Sequence, residues 1–179
     1  MPTPAECISG YVHGKDHNRP HRLDEAFAAD ARLTMQVQPG AAINFPPLTA
    51  GRAAIAELLV SSFSQRYENV YTFCIGKPPP DDASAWSCDW LVVMSEKGAG
   101  IVRIGCGRYD WRFDARSGLA SALDIAIEQM RLLPPETLPA LAGWAARLPY
   151  PWCPADRLAP GAPDLPALQP VLDRLAAIR

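Results

Sequence analysis

The clearest hydropathy pattern in the chain is Val102-Arg103-Ile104-Gly105-Cys106-Gly107-Arg108-Tyr109-Asp110-Trp111-Arg112-Phe113, where period-two recurrence of apolar and aromatic residues predicts a strand. Successive strand side chains point to opposite faces, so Val102, Ile104, Cys106, Arg108 and Asp110 share one surface and Gly105, Gly107, Tyr109 and Trp111 the other. The first surface runs from apolar into an Arg/Asp pair. That gradient fits two arrangements. In one, the sheet curls round a pocket that is greasy at its bottom and polar at its mouth, with Cys106, Arg108 and Asp110 looking inward; in the other, the charges form a solvated rim.

Around this strand the pattern changes period several times. Cys7, Ile8, Tyr11 and Val12 recur at helical spacing between Ala5 and Lys15, and Asp16-His17-Asn18-Arg19-Pro20 ends that helix. Pro20 suits the first turn of a second helix with a Leu23, Ala26 and Phe27 stripe. Ala31 to Val37 alternates and stops at Pro39-Gly40, which predicts a strand, with Ala42 to Phe45 as its short hairpin partner before Pro46-Pro47. Ile55, Leu58, Leu59, Ser62 and Phe63 mark a long helix over Gly51 to Tyr67, with Thr49 as a candidate cap. Val70 to Gly76 and Trp86 to Met94 read as strands, with turns at Glu96 to Gly100 and Asp114 to Gly118. Leu119 to Met130 has helix-favouring composition, but Leu123, Ile125 and Ile127 alternate, so a strand is expected.

Composition then divides the chain. Ten of its 19 prolines lie in residues 134–179, which rules out regular sheet or one long helix there. Leu141, Trp144, Leu148, Tyr150 and Trp152 are anchors that a disordered tail would lack, so a short helix near Thr137 to Leu148, a docked arm to Cys153 and a final helix near Ala167 to Ile178 are expected. The 179 residues thus read as one domain, 1–133, with a proline-rich extension, 134–179.

Net charge is -2 and the basic residues are scattered, so no nucleic-acid partner is expected. Neither an export signal nor a membrane span is apparent, which leads us to expect a soluble, cytoplasmic protein. Cys7, Cys74, Cys88, Cys106 and Cys153 are widely spaced without a CxxC, a pattern of buried free thiols and not of a disulfide framework or zinc site. No metal or cofactor is expected.

Two helices, a short hairpin, a long helix and a meander of long strands is the element order of the nuclear-transport-factor-2-like superfamily. Leu23-Asp24-Glu25-Ala26-Phe27-Ala28-Ala29-Asp30-Ala31 resembles its second helix and following turn. Gly51-Arg52-Ala53-Ala54-Ile55 resembles the start of its third helix, and Val70-Tyr71-Thr72-Phe73-Cys74-Ile75-Gly76 its next strand. The chain looks most like the SnoaL-like branch, which includes polyketide cyclases. The resemblance implies an α+β fold, a curved, mostly antiparallel sheet wrapped round N-terminal helices into a cone. It also implies a small-molecule pocket.

The catalytic positions of relatives can be carried over one by one. The tyrosine and aspartate places of ketosteroid isomerase-like members fall on Ile8 and Met35, and the strand histidines of scytalone dehydratase-like members have no counterpart after His21. Asp89 resembles one aspartate of limonene epoxide hydrolase-like members, where Ser87 stands in the arginine place and Arg108 could substitute. Asp124 resembles the last-strand acid/base of polyketide cyclase-like members. His13, one turn before Asp16, sits where some relatives put a pocket carboxylate and is a second candidate base, while Asp16 belongs to a polar knot that could line the entrance.

Two functions from different classes follow. One is a metal-free lyase, isomerase or cyclase acting on an apolar or cyclic small molecule, with Asp124, Asp110 or His13 moving the proton, Arg108 steadying an oxyanion, and Tyr71, Asp89, Trp90, Cys106 and Asp16 lining the pocket. The other is a non-catalytic ligand-binding or scaffold protein. Titratable groups converging in a dry cavity favour the first, and an interior filled by aromatic side chains the second. A homodimer through the convex sheet face is also expected, because strands this rich in Val, Ile and Trp would otherwise expose an apolar patch.

Overall fold

The computed structural model describes residues 1–177. Helix α1, Pro4–Asp16, starts where Thr3 accepts from the Glu6 backbone and the Glu6 carboxylate accepts from the Thr3 backbone, a reciprocal capping box. Asn18 in the left-handed region ends it, and the chain doubles back through a 3-10 turn, Pro20–Glu25. Gly14 permits that return, since a Cβ there would lie 2.9 Å from the Leu23 side chain and 3.2 Å from the Arg19 carbonyl oxygen. Strands β1 (Phe27–Val37) and β2 (Leu48–Ala50) follow, then a helix whose two α parts, α2 (Arg52–Ala56) and α3 (Ser62–Arg66), flank a π turn at Glu57–Ser61. Strands β3 (Tyr67–Ile75), β4 (Ala85–Glu96), β5 (Val102–Phe113) and β6 (Ala120–Leu133) form the meander. Helix α4 (Leu138–Ala145), strand β7 (Trp152–Cys153) and helix α5 (Gln169–Ala176) make up the extension; Ile178 of the expected final helix lies outside the described residues.

The sheet is mixed and open, in the order β2-β1-β6-β5-β4-β3-β7, with β1/β6 and β3/β7 parallel and the other neighbours antiparallel. Three local expectations need correction. The second helix is only the 3-10 turn Pro20–Glu25, and Phe27, expected on its stripe, opens β1. The partner of β1 is Leu48–Ala50, while Ile43 and Phe45 leave the sheet to pack against the concave core. The long helix begins after Gly51, at φ +91 and without a side-chain cap, so Thr49 does not cap it.

Both faces of the sheet carry apolar areas and both of these are covered, while the convex end that bears Arg108, Asp110, Arg112 and Asp124 stays open to solvent. On the concave face, Cys74, Trp90, Val92, Tyr109, Trp111 and Leu123 pack against α1 and the α2/α3 helix. On the convex face, Phe73, Leu91, Val93, Ile104 and Cys106 pack against Leu141, Trp144, Leu148, Val171 and Leu175 of the extension. The alternation along β5 is as expected but its sense is reversed: Cys106, Arg108 and Asp110 look away from the cone. Glycines explain the choice. A Cβ at Gly107 would sit 1.9 Å from the Ala126 carbonyl oxygen and 2.9 Å from the Trp90 ring, so this concave face admits the neighbouring indole only over a residue without a side chain.

The extension is a strap. Arg174 of α5 donates to both Asp89 oxygens at 3.0 and 3.1 Å and also to Glu128, gripping β4 and β6 together. Gln129 Nε2 donates to the Pro170 carbonyl at 3.1 Å, and the Cys74 backbone N–H donates to the Pro151 carbonyl at 2.7 Å. The apolar convex surface that motivated the homodimer is thus occupied by the same chain. Among the described residues no helix is long and apolar enough to cross a membrane.

Two outcomes follow from this packing. Trp144→Ala removes a side chain that is 1 % exposed and should cost about 3–5 kcal/mol in urea unfolding, while promoting self-association through the loosened convex face. The buried thiols make stability fall at high pH. Burial pushes Cys7 and Cys153 up to about 11 and Cys106 up to about 12 from an ordinary 9.0. The unfolded chain therefore ionises first: this stability is complete below pH 9 and is lost as pH rises towards 12. The urea midpoint should decline over that range, less steeply in Cys106→Ala.

Candidate functional site

Inside the cone lies a cavity of about 50 Å³, a third of the volume (about 150 Å³) that accepts a benzene ring. Its walls are mainly Met35, Leu59, Val92, Met94, Ile127 and Met130, and Ile43 and Phe45, which lie outside the sheet, complete the lining. Their segment is held by Arg103, which donates to the Ala42 carbonyl and pairs with Glu96. One end is aromatic. Trp90 stacks on Tyr109 with centroids 5.6 Å apart, and Tyr11 meets Tyr109 edge-on at 6.0 Å. Burial pushes both tyrosine hydroxyls well above the ordinary phenol range, so they stay protonated and neutral.

One charged group reaches this cavity. Lys15 follows Tyr11 by four residues on α1, so both project from one helix face, and its side chain is 7 % exposed. Lys15 Nζ donates to Asp16 Oδ1 at 2.8 Å and to Thr72 Oγ1 at 2.7 Å, and lies 4.7 Å from the centre of the Phe63 ring. Asp16, 1 % exposed, accepts from four donors: Lys15 and the Thr72 hydroxyl (2.8 Å) at Oδ1, the Thr72 backbone N–H (2.7 Å) and the Tyr150 hydroxyl (3.0 Å) at Oδ2. Burial first, then the Asp16 charge, raises the Tyr150 hydroxyl far above its usual range, so it remains a donor. The extension therefore supplies part of the site. A β-bulge in β3 between Glu68 and Tyr71, with Asn69 in the left-handed region, precedes Thr72.

Of the residues singled out in the sequence, Trp90 lines the cavity and Asp16 holds Lys15 from outside it. The others lie elsewhere. Tyr71 packs with the convex core, Asp89 binds Arg174, and Cys106 is buried beneath the extension. Arg108 and Asp110 pair with each other at 3.1 Å, with Ser87 donating to Asp110. Asp124 pairs with Arg112 and accepts from Thr34. His13 lines an outer groove with Glu6 and Arg22 and stacks on His17, its pKa lowered by partial burial and by His17. Lys15, Thr72, Tyr11 and Tyr150 were not anticipated. The signal available for Lys15 was its place four residues after Tyr11, on the stripe that also holds Ile8.

The cavity presents donors. Thr72 Oγ1 both accepts from Lys15 and donates to Asp16, no carboxylate or imidazole lines the wall, and the Trp90 indole N–H is buried without a partner among the described residues. Lys15 uses two of its three N–H groups in hydrogen bonds. Among the described residues no group of three or more His, Cys, Asp or Glu side chains could hold a metal ion.

No protein-family model matches the sequence, and no curated protein matches it. Solved structures do. A hexachlorocyclohexane dehydrochlorinase, LinA-type3 from Novosphingobium barchaimii, superposes with TM-score 0.55 at 14 % identity, over 72 % of this chain and 86 % of that one. An NTF2-like protein from Burkholderia thailandensis gives 0.54 at 12 %, over 72 % and 92 %. A computationally designed 17-OHP binder gives 0.57 at 13 %, over 74 % and 100 %. The chain has the nuclear-transport-factor-2-like fold.

Breaking the buried pair tests this electrostatic arrangement. Lys15→Met leaves the buried Asp16 carboxyl without its ammonium partner and should cost about 3–5 kcal/mol in urea unfolding. Adding Asp16→Asn should recover most of that loss.

Proposed function

We propose that the protein binds a compact, largely apolar small molecule inside the cone without converting it. The observation that carries this is a cavity with apolar walls in which every polar group is a donor or is already paired. Proton-transfer chemistry needs a base with a free lone pair within reach of the substrate. Asp124, Asp110 and His13, the candidates for a lyase, isomerase or cyclase, all lie outside the cavity, and Asp16 is saturated by four donors. The aromatic filling by Tyr11, Trp90, Tyr109 and Trp111 points the same way. That a designed protein of this fold is a 17-OHP binder supports the view that the cone can serve binding alone.

Ligands beyond a few heavy atoms enter by displacing Ile43 and Phe45, whose segment is outside the sheet. Cyclopentane is the simplest probe. It should shift the methyl resonances of Met35, Met94 and Met130, which line the cavity, and leave Met1 unmoved. Val92→Phe, which fills the cavity, should abolish those shifts. Shifts that survive Val92→Phe, or none in either protein, would rule out the cone as the binding site.

A further inference from the structure

From the charge balance around Lys15 we infer that the cavity selects neutral carbonyl compounds over carboxylates, with Lys15 as the anchor and Asp16 as the residue that sets the specificity. This inference rests on the binding function proposed above. A lone buried ammonium would recruit an anion. Here the ammonium is already paired, because Asp16 Oδ1 lies 2.8 Å from Lys15 Nζ and the Asp16 side chain is 1 % exposed. A ligand carboxylate would bring a second negative charge beside Asp16 into a space walled by Met35, Val92, Met94 and Ile127, with no further cation to offset it.

A ketone, aldehyde or ester oxygen has no such penalty. It accepts the third Lys15 N–H, which has no polar partner among the described residues, in a hydrogen bond strengthened by the ammonium charge. Trp90 carries a second unmet donor: it lines the same cavity, is 4 % exposed, and its indole N–H is unpartnered among the described residues. Two unmet donors also set a carbonyl compound above a hydrocarbon, which would leave both unsatisfied. Tyr150 and Thr72 complete the device. By donating to Asp16 they fix its carboxylate against Lys15, so the pairing of the cluster is built into the fold.

Shape-matched probes separate charge from size. Butanone and propanoate differ by a methyl group in place of an oxygen, as do cyclopentyl methyl ketone and cyclopentanecarboxylate. Titrations at pH 7, followed by the methyl resonances of Met35, Met94 and Met130, should show each ketone binding about tenfold or more tighter than its carboxylate. Each ketone should also bind tighter than cyclopentane. In Asp16→Asn the ammonium loses its counter-charge, and the order should invert. The wild-type ratios stand without the variant, should Asp16→Asn fail to fold. Carboxylates binding as well as ketones in the wild-type protein would overturn the specificity while leaving the pocket intact. No binding by any probe, cyclopentane included, would instead remove the binding function itself.

Discussion

A sheet with apolar areas on both faces has to be covered twice, and the rest of this molecule follows from how that is done. The α1 helix and the α2/α3 helix fill the concave side, and the strap of α4, β7 and α5 covers the apolar part of the convex side. The strap is fastened by half-buried ion pairs as well as by apolar contact: Arg174 grips Asp89 and Glu128 from strands β4 and β6. With the apolar parts of both faces buried, the gap where the helices fail to fill the cone completely remains as an apolar space for a ligand. That gap is where Lys15 emerges.

Burying Lys15 and Asp16 is costly unless every lone pair and proton finds a partner, and contacts from three separate parts of the chain supply them. Thr72 comes from β3, Phe63 from α3 and Tyr150 from the strap, while the two charges themselves come from the end of α1. Covering the convex face and completing the site are therefore one structural event. The arm that carries Tyr150 is held by the Pro151 carbonyl on β3, two residues beyond Thr72. Loss of the strap would expose an apolar surface and leave Asp16 a donor short.

Most elements were legible in the sequence because each has its own period: the alternation of Ala31 to Val37 and of Val102 to Phe113, the helical stripe of Ile55, Leu59 and Phe63, and the proline-rich break after residue 133. What alternation cannot reveal is which face turns inward when both are apolar. Cys106 and Ile104 oppose Tyr109 and Trp111 on β5, either set could have formed a core, and both do. The inward placement of Arg108 and Asp110 was lost with that choice. Lys15 was invisible for another reason: a lysine in the last turn of a helix normally meets water and the helix dipole. Its burial depends on Thr72, Asp16 and Tyr150, whose convergence spans 135 sequence positions from Lys15 to Tyr150. Ile43 and Phe45 looked like strand residues because they are bulky and apolar, yet they leave the sheet and line the cavity.

The account stands on a dry, apolar space between α1 and the concave sheet, with Lys15 at its edge. Diffraction from a crystal under xenon pressure reads this directly, since xenon seeks enclosed apolar volume and avoids polar, hydrated clefts. The gas should occupy the space bounded by Tyr11, Trp90 and Met130, and the groove lined by His13 and Glu6 should stay free of it. Density for ordered water throughout that space, or xenon settling only beneath the strap, would contradict it.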